Sequence, residues 1–232
     1  MQLTQLLDVP SWANVTAIAV GSFQGAMYAA GYRKTGLDLL GVAVIGIATG
    51  LGGGFLRDIL LNRFPIAMTE NYYILIAVGA ALLGMLLGQL AGKVDWLLTL
   101  MDALGLGLFA AIGTTAAMYD GVPVVPALFV GVITAVGGGV IRDLLLNMPI
   151  SVMHVGSLYA VAAILGSGTL LASYACGVDP NVAAILCIIV TTVVRMLAVR
   201  FGWSLPEQRV LKSLRNPRLV TPDDLTGTIE LP

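Results

Sequence analysis

The sequence predicts an all-α membrane protein of seven transmembrane helices, built as two inverted three-helix repeats followed by a seventh helix. Three observations carry that prediction. Hydrophobic residues make up 58% of the 232-residue chain and charged residues 11%, whereas soluble domains carry roughly 25% charged residues. Seven apolar stretches approach the roughly 20 residues that a bilayer core of about 30 Å requires of a helix. The pattern GGG-x-x-RD occurs twice: Gly52, Gly53, Gly54, Arg57, Asp58 and again Gly137, Gly138, Gly139, Arg142, Asp143.

The spans are predicted at about residues 13–32, 37–62, 71–91, 96–119, 124–147, 152–174 and 181–201. Turn formers separate them, among them Gly36, Pro65, Gly92, Gly121, Pro149 and Pro180. The chain then divides into an N-terminal segment 1–12, a first repeat 13–92, a second repeat 96–174, a seventh helix 181–201 and a polar tail 202–232. The first twelve residues lack the basic region of a cleaved signal peptide, so residue 1 onward reads as mature protein.

Loop charge sets the orientation. The segments after spans 1, 3, 5 and 7 hold Arg33, Lys34, Lys93, Arg200, Arg209, Lys212, Arg215 and Arg218. The other side offers only Arg63. Positive residues accumulate on the cytoplasmic side, which predicts an external N-terminus and a cytoplasmic C-terminus.

The glycine motifs of spans 2 and 5 are offset by 137 − 52 = 85 residues, and eight of eleven positions in windows 52–62 and 137–147 are identical. In spans 1 and 4, Gly25, Ala29 and Gly31 match Gly107, Ala111 and Gly113 at an offset of 82, which predicts an insertion of three residues near 122–126. A three-span unit lies upside down relative to its copy, an arrangement that recurs in transport proteins. At offset 82 the counterpart of Asp102 is Val20, an asymmetry in the repeat.

Each glycine weakens a helix by about 1 kcal/mol relative to alanine, and an Arg-Asp pair is costly in lipid. Span 2, at 26 residues, would be roughly 39 Å long as a straight helix. It is therefore predicted to tilt, bend or break at Gly52, Gly53 and Gly54, and span 5 at Gly137, Gly138 and Gly139. Backbone freed there must face protein or water and can coordinate a cation. Thr49, Gly53 and Arg57 share a helical face, as do Thr134, Gly138 and Arg142, predicting a polar wall. Two other readings stand beside this one. Small residues let membrane helices pack closely, and the arginines can snorkel or tie helices together instead of latching a pore.

Other polar residues within spans are few. Asp102, near the start of span 4, is a candidate partner for Arg142. Arg195 in span 7 reads as a snorkelling residue, and His154 as interfacial. Cys176 and Cys187 form no spaced metal or redox motif and read as small apolar residues, with a disulfide as the alternative. No catalytic signature is present, so the chain reads as neither an enzyme nor a cofactor binder. No basic patch points to nucleic acid.

Two three-span repeats with GGG-x-x-RD in each, followed by a seventh span, resemble the prokaryotic trimeric intracellular cation (TRIC) channel family, whose repeat is also called a glycine-transporter domain. The resemblance covers residues 13–201. It implies a homotrimer in a prokaryotic cell membrane, in contact with lipid, with one pore per protomer. It also implies permeation of K⁺ and Na⁺ along spans 2 and 5, with transient ions near Gly52, Gly53, Gly54 and Gly137, Gly138, Gly139. Animal members carry Lys-Glu where Arg57-Asp58 stands, so their lipid and calcium-store roles do not carry over. The competing readings are a secondary transporter of glycine or another small solute, and a scaffold without permeation. No acidic residue stands deep at the midplane to couple a substrate, which favours the channel.

Overall fold

The computed structural model describes residues 9–32, 36–88, 95–153 and 158–204. The expectations for His154, for the basic residues Arg33, Lys34 and Lys93, and for the tail beyond residue 204 lie outside these. Among the described residues, seven α-helices follow one another: α1 Ser11–Gly31, α2 Leu39–Leu60, α3 Asn71–Leu87, α4 Asp95–Tyr119, α5 Val124–Leu145, α6 Tyr159–Ala175 and α7 Pro180–Phe201. A 3-10 turn, Ile66–Met68, joins α2 to α3. Each helix falls on a predicted span. The largest difference is at α6, which starts at Tyr159 after a turn at residues 151–153, not at 152.

Among the described residues, four helices are long and apolar enough to cross a membrane: Leu39–Leu60, Trp96–Tyr119, Val124–Leu145 and Pro180–Phe201. α3 and α6 have 17 residues each, or roughly 26 Å. α1 has 21 residues, with Asn14, Ser22 and Gln24 buried against the rest of the protein. Large apolar side chains such as Leu83, Leu86, Phe129, Ile185 and Ile189 point outward, as a lipid-facing surface requires. The chain is an all-α membrane protein with two inverted three-helix repeats and a seventh helix.

Local sequence sets the helix ends. The Asp38 carboxylate accepts from the Gly41 amide at 2.7 Å and caps α2. Asp179 caps α7, with Pro180 in its first turn, and Gly202 closes it in the left-handed conformation. α2 and α5 end in the same way: Asn62 and Asn147 adopt φ of 52° and 50°. Just beyond them, the Arg63 and Met148 amides donate back to the Asp58 and Asp143 carbonyls, each at 2.8 Å.

Neither α2 nor α5 is interrupted at its glycine triplet. Each is a continuous helix of 22 residues, roughly 33 Å. The excess length that called for a break is absent, because the chain turns off at Asn62 and Asn147. The triplets serve close approach instead. A Cβ on Gly53 would collide with the Thr134 carbonyl oxygen, and one on Gly138 with the Thr49 carbonyl oxygen. Gly52 likewise meets Ile141, and Gly137 meets Leu56. The two repeats are joined back to back where these bare backbones cross.

The contacts also correct the alignment of the repeats. Gly25 abuts Thr49 as Gly113 abuts Thr134, so α1 and α4 are offset by 113 − 25 = 88, not 82. The helix ends agree: 119 − 31 = 88. The three-residue difference from 85 lies between α1 and α2, whose ends are seven residues apart in sequence (32–38) against four (120–123) between α4 and α5. Sequence matching chose 82 because glycine and alanine recur throughout both helices. At offset 88 the counterpart of Asp102 is Asn14, not Val20.

α7 breaks the symmetry. In the first repeat α3 packs directly on α1, with Gly84 against the Phe23 carbonyl and Gly88 against Ala30. In the second, α7 lies between α4 and α6: Gly107 faces Ile188, and Gly166 faces Thr191 and Cys187. Cys187 is buried there and Cys176 is exposed; both are free thiols, so the disulfide alternative is not realised.

The crossing predicts a difference among the glycines. Gly53→Ala and Gly138→Ala should each lower stability by about 1–3 kcal/mol, the usual cost of overpacking. Gly54→Ala, whose Cβ would meet nothing within 4 Å, should cost less. Thermal unfolding of the detergent-solubilised protein checks the order.

Candidate functional site

Each repeat buries one Arg-Asp pair at the C-terminal end of its glycine helix. Arg57 is 4% exposed and Asp58 3%; Arg142 is 4% exposed and Asp143 1%. Neither guanidinium snorkels. In the first pair, Arg57 Nε donates to Asp58 Oδ1 at 2.7 Å and Nη1 to Asn14 Oδ1 at 3.3 Å. In the second, Arg142 Nε and Nη2 donate to Asp143 Oδ1 at 3.0 and 2.8 Å. The other carboxylate oxygen takes the turn beyond the helix. Asp58 Oδ2 accepts from the Ile66 amide, and Asp143 Oδ2 from the Ser151 amide, both at 2.9 Å. Ser151 Oγ adds a bond of 2.7 Å. Every charge is thus paired and hydrogen-bonded, the condition for keeping it inside a protein.

Beyond this shared core the two ends differ. Where Asn14 meets Arg57, Asp102 stands 3.8 Å from Arg142 Nη1, as the sequence suggested. Asp102 also accepts from Gln24 Nε2 at 3.3 Å and from the Tyr159 hydroxyl at 3.2 Å. Arg195 Nη2 lies 3.6 Å from its second oxygen. Arg195 is 9% exposed and stacks over the Tyr159 ring at 4.8 Å, so it does not snorkel either. Arg142 stacks over Tyr28 at 4.4 Å. This cluster exists because α7 lies beside α4 and brings Arg195 to Asp102.

Among the described residues, three voids border these charged groups and the glycine helices. A cavity of about 390 Å³ is lined by Tyr28, Asp102, Arg142, Ser151, Tyr159 and Arg195. Gln24, Asp102 and Tyr159 also line a void of about 20 Å³ bounded by Thr49, Phe109, Gly138 and Gly139. Beyond Phe109 lies a third void, of about 10 Å³, bounded by Asn14, Gly50, Gly54 and Arg57. The two small voids are about the size one water needs.

The predicted site residues therefore separate into groups. Thr49, Gly54, Arg57, Gly138, Gly139 and Arg142 line voids. Gly52, Gly53 and Gly137 lie in the α2–α5 crossing. Thr134 is fully buried beside Gly113. Asp58 and Asp143 hold the arginines. The expected polar stripes do not form, because Gly53 faces the other repeat's backbone. The threonine hydroxyls also turn inward, to the Ile45 and Val130 carbonyls at 2.7 Å. Sequence reading missed Asn14, Gln24, Phe109 and Tyr159. Asn14 and Gln24 carried a usable signal, as uncharged polar residues within an apolar span.

The pairing predicts the cost of removing each carboxylate. Asp58→Asn and Asp143→Asn should destabilise by about 3–5 kcal/mol, the range for leaving a buried charge without its partner. Asp102→Asn should cost less, since its arginines stand at 3.6 and 3.8 Å. Chemical unfolding in detergent measures the difference.

The chain is similar to known proteins over most of its length. The profile of a family described as glycine transporter matches residues 11–89 and 99–175. The inner membrane protein YadS of Escherichia coli is 31% identical over 198 residues, covering 84% of this chain and 94% of that protein. The membrane protein YvgT of Bacillus subtilis is 32% identical over 203 residues, covering 85% and 96%. Among solved structures, a TRIC cation channel superposes with a TM-score of 0.76 at 35% identity, covering 87% of this chain and 98% of that one. A TRIC orthologue from Rhodobacter sphaeroides superposes with a TM-score of 0.75 at 28% identity, covering 88% and 100%. Doubled glycine-arginine-aspartate helices, a seventh helix and whole-length likeness agree: the chain belongs to the glycine-transporter-repeat family of bacterial membrane proteins, the prokaryotic TRIC family.

Proposed function

We propose that this protein is a channel for K⁺ and Na⁺, with a conduction path inside each protomer and three protomers in the assembly. The observation that carries the reading is the line of voids from Arg142 and Asp102, past the glycines of α2 and α5, to Arg57 and Asn14. Side-chain amide, carboxylate, hydroxyl and bare helix backbone border this line, which suits a partly hydrated cation. Solved relatives of similar length are described as trimeric intracellular cation channels. The repeats, bounded at 13–92 and 96–174, form the two walls of the path, and residues 181–201 flank its wider end.

In the proposed orientation the N-terminus is external and the tail 202–232 cytoplasmic. The ion pair between Arg63 and Asp120 joins the segments after α2 and α4, which the parity of the spans puts on one side. The large cavity then opens toward the cytoplasm and the Arg57 end toward the outside. At rest each guanidinium is held by its neighbouring aspartate. Released into the path, it would repel cations. Moving one full charge through the membrane is worth about 2.3 kcal/mol per 100 mV, so partial movement is enough to bias opening.

Three measurements test the reading. Proteoliposomes should show passive K⁺ and Na⁺ flux without gradient-coupled glycine uptake; coupled uptake without passive flux would replace the channel by a transporter. Gly54 lines the 10 Å³ void, and a Cβ there would meet nothing within 4 Å, so Gly54→Leu should lower flux while the protein stays folded. Arg57→Ala and Arg142→Ala should alter open probability or its voltage dependence in planar bilayers. Unchanged gating in both would leave the pairs as structural ties.

A further inference from the structure

We infer that the phenyl ring of Phe109 is the hydrophobic barrier that closes the path between the two ends of the protomer. The inference rests on the conduction path proposed above and assigns its closed point to one side chain.

Phe109 is the one residue common to the linings of the two small voids. On one side of the ring stand Gln24, Asp102 and Tyr159; on the other, Asn14, Gly54 and Arg57. Polar surface therefore reaches toward the ring from both ends of the molecule, and the ring is the apolar interruption. Phe109 is 8% exposed. A small void on either side has room for water, but a cation passing between them would have to shed its water against an aromatic face. Apolar constrictions of this kind gate by dewetting.

The repeat shows why the ring fits there. At the structural offset of 88, the counterpart of Phe109 is Gly21, since 109 − 21 = 88. The two counterparts also touch: a Cβ on Gly21 would stand 3.3 Å from Phe109 Cε2. One repeat supplies a phenyl ring near the centre and the other supplies the vacancy that receives it. A side chain at both positions would overfill the site, and glycine at both would leave it open. The scaffold is two-fold, and the plug is single.

The ring is set among glycines. The walls around it include Gly21, Gly50, Gly54, Gly105 and Gly138. Gly54 lines the void beyond the ring. Displacing the ring from between the two voids would join them without moving α2 or α5 apart at their tight crossing. Opening then requires a side-chain displacement and a small backbone adjustment, with no break in either glycine helix.

Single-channel recording of the purified protein in planar bilayers tests this, with wild type, Phe109→Ala, Phe109→Leu, Phe109→Trp and Gly54→Leu. Phe109→Ala should raise open probability or unitary conductance severalfold, Phe109→Leu should do so to a smaller degree, and Phe109→Trp should lower both. If Phe109→Ala does not assemble, the opposed effects of leucine and tryptophan carry the test. Unchanged conductance and gating in the folded Phe109 variants, with current still lost in Gly54→Leu, would overturn the barrier and leave the path standing. Unchanged current in Gly54→Leu and in every Phe109 variant would overturn the path itself, and the barrier with it.

Discussion

The close crossing of α2 and α5 is the contact on which the other features depend. Its reach is set by two reciprocal approaches, Gly53 to the Thr134 carbonyl and Gly138 to the Thr49 carbonyl. In a lipid environment, hydrophobic burial does little to bring helices together, so van der Waals contact between small residues must. Side chains on these faces would hold the helices apart and widen the voids beside them. The triplets therefore do two things at once. Their inner members let the repeats meet, while Gly54 and Gly139 leave bare backbone toward the voids.

The arginine pairs add a second constraint. A buried guanidinium needs its charge balanced and its donors used. An adjacent aspartate does this locally, at the cost of a second buried charge. That carboxylate is satisfied in turn by the amide of Ile66 or Ser151. The result is a polar knot that ties a helix end to the turn leaving it. Repeated at both ends, the knot also explains why α2 and α5 stop where they do and why an asparagine follows each in the left-handed conformation.

Asymmetry enters through the parts outside the duplicated pattern. α7 packs along both α4 and α6 and brings Arg195 to Asp102. Asn14 and Asp102 occupy equivalent places, yet one offers an amide and the other a charge. The large cavity lies at the end with the extra carboxylate and the extra arginine. A two-fold framework thus presents two chemically different ends, which suits a membrane protein whose two sides face different solutions.

The sequence alone determined the class, the number of helices, the duplication and the location of the buried charges. Those features depend on local signals: apolar length, loop residues and a motif too costly to recur in a membrane by chance. The Arg142–Asp102 proximity was legible too, because both lie toward the same end of their spans. Tertiary structure decided how the glycines are used. A triplet that permits close packing and one that breaks a helix look identical in one dimension; only the facing carbonyl oxygens of Thr49 and Thr134 distinguish them. The register of α1 on α4 was hidden for a related reason. Small residues recur so often that 82 and 88 both match, and the choice is made by which glycine meets which threonine. Phe109 carried no signal at all, since one aromatic residue in an apolar helix is ordinary, and its position opposite Gly21 exists only once the two repeats have folded against each other.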